Sequence, residues 1–241
     1  MKQPMSSLRK TALVAGIFYL FTFVSIPAPF ALYAAVRAPN YILGAGPDTL
    51  VFVGAVLEII VALAGIGTAI ALYPVVKKQG EARAMGFVAS RTLEAATIFA
   101  GVTTLLSVVT LRQIGAGADA LVASQVLAAQ YSWLFLVSQS FIPAINAVLL
   151  GSLLYQSRLV PRALPVVGFV GATALTATWF AILFGFIGAT SAPAALAGLT
   201  IAAWEFSLGV YLVVKGFKPS PITATMEDST PAQVRSLKNA A

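Results

Sequence analysis

Six apolar runs divide the 241-residue chain, and each is long enough to cross a bilayer. They cover residues 11–36, 49–76, 84–111, 131–156, 163–187 and 192–214. A hydrocarbon core takes about 20 helical residues to span. Backbone N–H and C=O groups find no partner in lipid, so they bond within their own helix or around a closed barrel. These runs lack the polar–apolar alternation of barrel strands. The expected fold is therefore all-α: a polytopic integral membrane protein whose residues 1–218 form a bundle of six transmembrane helices. Residues 219–241, polar and proline-rich, are expected to be a disordered cytoplasmic tail. Composition agrees, since 10% of the residues are charged and 59% hydrophobic, against about 25% charged in a soluble domain.

Lysine and arginine set the expected orientation. With the N-terminus inside, the inner side holds Lys2, Arg9, Lys10, Lys77, Lys78, Arg83, Arg158, Arg162, Lys215, Lys218, Arg235 and Lys238. The outer side holds Arg37 and Arg112. This bias puts both termini in the cytoplasm and the chain in the plasma membrane. It also explains the net charge of +7 as a topology signal rather than a nucleic-acid footprint. The first run exceeds the 7–15 apolar residues of a signal peptide and no clear cleavage site follows, so it reads as a span. Between the third and fourth runs, Asp119 is expected to cap a short helix over 120–130 lying on the outer surface. Asp48 is the expected cap of the second span. Tyr131, Trp133 and Tyr155 read as interfacial anchors.

Four ionisable residues fall inside the runs: Glu58, Arg91, Glu94 and Glu205. A charge at mid-membrane costs about 2.5–3.5 kcal/mol even on a lenient scale, so these groups need partners or water. Arg91 and Glu94 are three apart and share a helix face. At about 1.5 Å per residue, Glu94 and Glu205 both lie about 15 Å from the inner ends of their spans, so the three are expected to meet; Glu58 lies further out. Three carboxylates against one guanidinium lead to the expectation that at least one carboxylate carries a proton at neutral pH. Gln139 and Asn146 are candidate supporting groups, with Ser140, Thr173, Thr176 and Trp179 nearby in the fourth and fifth runs.

Small residues line the glutamate faces. Gly54, Glu58, Ala62, Gly65 and Ala69 share one stripe, and Ala194, Gly198, Ala202, Glu205 and Gly209 another. Such stripes mark helix–helix contacts in membranes. Pro27 and Pro29 are expected to break the first span and Pro143 the fourth. Ser-(x)-Ile-Pro-Ala in the first and fourth spans, with glutamates mid-span in the third and sixth, raises the possibility of an inverted repeat.

No cysteine and no histidine occur, which removes disulfides, thiolate or imidazole metal sites and Ser-His-Asp catalysis. Neither G-x-S-x-G nor a phosphate-binding glycine loop is found. An intramembrane enzyme would have to work with carboxylates alone or with glutamates around a metal, so a non-enzymatic role without cofactor or metal is favoured. Two function classes stand. One is a small transporter or membrane sensor in which the guanidinium holds an anionic group while a glutamate takes a proton. The other is a non-catalytic module binding lipid or a partner protein, with the charged network purely structural.

Particular segments also carry a resemblance. "RKTALVAGIFYLFTFV", "RTLEA" at 91–95, "LLYQSRLVPRALPVVGFVG" at 153–171 and "WEFSLGVYLVVKGF" at 204–217 resemble a bacterial and archaeal membrane family, domain of unknown function 4386. The resemblance implies an integral membrane protein with several helices. It assigns no reaction, substrate or site to any residue.

Overall fold

The computed structural model describes residues 5–25 and 31–227, and every regular element among them is helical. The helices are α1 (Ser7–Ser25), α2 (Thr49–Val76), α3 (Glu81–Gln113), α4 (Leu121–Leu136), α5 (Ile142–Ser157), α6 (Ala163–Leu183), α7 (Ala192–Val214) and α8 (Pro221–Glu227). Among the described residues, five helical segments are long and apolar enough to cross a membrane: α2, α3, the continuous segment Ala118–Ser157, α6 and α7. That is the architecture of a multi-pass membrane protein.

Several local expectations are corrected. No separate surface helix occupies 120–130: α4 runs from Leu121 without a break through a π turn, Val137–Phe141, into α5. Nothing between Leu121 and Leu136 interrupts a helix, because the stretch holds neither glycine nor proline. Asp119 sits in a 3₁₀ turn before α4 and makes no capping bond. The tail does not lose structure at residue 219. Ser220 and Thr223 are buried, and the Ser220 hydroxyl donates to the Ser157 carbonyl at 2.6 Å, docking α8 on the end of α5. The breaks expected at Pro27 and Pro29 lie outside the described residues, as does the chain beyond Glu227. α6 stops at Leu183, short of 187, because Gly185 takes a left-handed conformation (φ 74°) that unwinds the helix.

The helices form a ring. α1 packs on α2, α2 on α3, α3 on both α4 and α5, α5 on α6 and α6 on α7, and α7 closes the circle against α1. The closure is tight because of two glycines. A Cβ on Gly16 would stand 2.7 Å from the Gly209 carbonyl oxygen, so only hydrogen lets the two backbones approach. At the basic end, Arg9 donates to the Leu212 carbonyl at 2.8 Å and to that of Val213, answering acceptors left over at the end of α7. Arg83 likewise ties α3 to α5, donating to Ser152 (3.0 Å) and Gln156 (2.8 Å). Outward faces are apolar: Val56, Leu63 and Ile70 of α2 are all more than half exposed. In water such a face is a liability, whereas in lipid it is ordinary solvation.

Candidate functional site

Arg91 and Glu94 lie on the inward face of α3, both buried. One guanidinium nitrogen, Nη1, donates to Glu94 Oε2 at 3.0 Å. The other, Nη2, crosses the ring to Glu205 Oε1 on α7 at 2.5 Å. Asn146 of α5 donates its amide to the same Glu94 oxygen at 2.7 Å. Three helices thus meet at one carboxylate–guanidinium–carboxylate chain. The desolvation cost of each charge is offset by direct, charge-assisted hydrogen bonds. Aromatic rings flank the cation, with the Tyr19 centroid 5.6 Å and the Phe87 centroid 5.7 Å from the guanidinium carbon. Gly65 of α2 gives the arginine room, since a Cβ there would already lie in contact with it at 3.8 Å.

These ion pairs border a cavity of about 1020 Å³. Arg91, Glu94 and Glu205 stand at one end. From there the cavity runs past Phe135, Gln139, Ser140 and Trp179 to Ala189 and Thr190, in the loop between α6 and α7. The stripe on α7 expected to make helix contact instead lines this space: Ala194, Gly198, Ala202 and Glu205 all border it. Nothing lies within 4 Å of the place a Gly198 Cβ would take. Gly209 of that stripe, by contrast, packs closely on Tyr19 and Leu20. Small side chains permit close contact only where a partner helix is present; here they leave volume. Across the cavity, the π turn precedes Pro143, which has no N–H to give the carbonyl four residues back. The widened turn carries Gln139 and Ser140 on the cavity wall.

Glu58 does not join this group. It is 4% exposed and bonded by two tyrosines: Tyr131 donates to Oε1 at 2.8 Å and Tyr33 to Oε2 at 3.2 Å. No cation pairs with it among the described residues. Gly54, one turn earlier, is needed for this arrangement, because a Cβ there would fall 2.5 Å from the Tyr33 ring. Tyr131, expected at an interface, is buried and faces both Glu58 and the cavity. A tyrosine near the end of an apolar run carries no sequence signal that separates these roles. Asp48 was expected as a cap but makes no cap bond. Its carboxylate instead accepts from Tyr41, Arg112 and Gln113, pinning the loop before α2 to the end of α3. Burial and the bond to Asp48 raise the Tyr41 hydroxyl above its ordinary pKa, against the lowering influence of Arg112.

Trp179 borders the cavity with its indole N–H unpartnered, and Arg91 Nε and Asn146 Oδ1 are also buried without partners among the described residues. Thr173 and Thr176 do not border the cavity; Thr173 bonds back to the Phe169 carbonyl of its own helix at 2.9 Å. No group of His, Cys, Asp and Glu among the described residues is placed to hold a metal. The chain belongs to the family described as Domain of unknown function (DUF4386), whose model matches residues 14–216. No curated protein and no solved structure matches it.

Proposed function

We propose that this DUF4386 chain is a six-span plasma-membrane protein, both termini cytoplasmic, that admits a small and largely apolar molecule to the cavity for transport or sensing. One observation carries the reading: a cavity of about 1020 Å³ ends on buried ion pairs. Ligand sites are mostly apolar spaces of about 300–1,000 Å³ with a few fixed polar groups. A network that only fixed helix register would gain nothing from bordering such a void, since unfilled volume costs packing energy. α1 supports the sixth crossing, because its start meets the end of α7 through Arg9 and it closes the ring. The Lys and Arg bias supports the orientation.

Gly198 supplies the test. Its Cβ position is open, so Gly198→Trp fills the cavity without a backbone clash. Saturable binding of the neutral dye Nile red to protein in nanodiscs is expected, and the variant should weaken it about tenfold or more, at unchanged melting temperature. The competing reading is a non-catalytic module that binds lipid or a partner, with the ion pairs only organising the bundle. The Arg91–Glu205 bond favours it in one respect, since it ties α3 to α7 across the ring. It requires that dye binding be absent or indifferent to Gly198→Trp.

A further inference from the structure

The charge left over beside the cavity says which kind of molecule fits. Both terminal nitrogens of Arg91 are occupied, one by Glu94 and one by Glu205. An anionic ligand would meet a cation whose charge is already answered by those two carboxylates. Of the five guanidinium N–H groups, those not bonded to Glu94 or Glu205, Nε–H among them, belong to a cation already facing two carboxylates, so they offer no net positive field. Carboxylates, by contrast, outnumber the guanidinium two to one. Glu94 engages its partners through Oε2 and Glu205 through Oε1; Oε1 of Glu94 and Oε2 of Glu205 accept no hydrogen bond among the described residues. With both acids ionised, the two carboxylates and one guanidinium sum to −1. Arg37 also lines the cavity, but it is exposed near the other end, where water and salt screen it. The walls between add Phe23, Phe135, Trp179 and Phe206, whose ring faces attract cations.

We infer that the cavity selects lipophilic monocations: an apolar body of drug size whose single positive charge rests against the second oxygens of Glu94 and Glu205. This rests on the cavity reading above and reverses the expectation that Arg91 grips an anion.

Three probes of similar shape and different charge test it: tetraphenylphosphonium (+1), triphenylphosphine oxide (neutral) and tetraphenylborate (−1). Each is titrated against protein in nanodiscs, with empty nanodiscs subtracted. The phosphonium should bind at least about tenfold more tightly than the oxide, and the borate most weakly. Glu205→Gln keeps a hydrogen-bonding oxygen for Arg91 but removes the negative charge, so it should abolish the preference while oxide binding persists. That persistence also reports that the variant is folded. Equal binding of phosphonium and oxide, tighter binding of the borate, or a preference that survives Glu205→Gln would overturn the inference. So would failure of all three probes. Nile red binding that Gly198→Trp abolishes would still uphold the cavity reading in each of these cases; absence of Nile red binding would defeat that reading too.

Discussion

At the scale of single residues, burial decides what each charge is worth. Arg91 is 5% exposed and holds two carboxylates. Arg91→Leu strands both acids in a low-dielectric interior and should cost about 3–5 kcal/mol. Replacing Arg91, Glu94 and Glu205 together by leucine removes the charges as a set and should be far milder, because whole buried networks exchange for apolar packing at little cost. Unfolding of the detergent-solubilised protein, followed by circular dichroism, compares the two; equal losses would show that the charges are not coupled. Tyr131→Phe removes one donor from Glu58 and should cost about 1–3 kcal/mol by the same measurement, the penalty of an underbonded buried acceptor. No change would mean that water replaces the hydroxyl. The convergence of Arg91, Glu94 and Glu205 was legible in the sequence, because spacing and depth along a helix are local properties. The two tyrosines on Glu58 were not, because Tyr33 and Tyr131 reach it from separate segments 25 and 73 residues away.

At the scale of helices, interruptions shape the site. The π turn before Pro143 widens the helix where Gln139 and Ser140 meet the cavity. Pro143→Ala restores the missing donor, and the regular α-helix it favours would turn those side chains. Stability should hold or rise while Nile red affinity falls several-fold; unchanged affinity would show that the turn does not shape the wall. The helix pair α1–α7 depends on Gly16 and Gly209. Gly209→Leu should separate the pair, since its Cβ position already lies 3.0 Å from Tyr19 Cβ, and should cost about 1–3 kcal/mol as an overpacked contact. A variant as stable as the parent would place the ring closure elsewhere. Element boundaries were mostly legible, with 49–76 and 192–214 recurring as α2 and α7. The join of α4 to α5 was not: Gln130 and Tyr131 suggested a surface segment giving way to a span, whereas helix propensity carries straight through.

At the scale of the whole molecule, orientation is the remaining proposal, and the absence of native cysteine makes it easy to measure. A single cysteine introduced as Ala116→Cys, in the loop after α3, should react with a membrane-impermeant maleimide on intact cells. Gln79→Cys, between α2 and α3, should react only after permeabilisation. The reverse pattern would invert the topology and the side to which the cavity extends.

Composition and periodicity alone settle the class of solvent and the chain's answer to it: long apolar runs, helices to satisfy their backbones, and charged residues rare enough that those inside must pair. Those follow from local composition and periodicity. Where volume is left unfilled depends instead on how all the helices pack together. A stripe of small residues reads the same whether another helix covers it or not. On α7 it meets α1 at Gly209 but borders open space from Ala194 to Ala202. The pairing of Arg91 with Glu94 and Glu205 beside that space, with Asn146 on Glu94, is likewise a property of three helices at once.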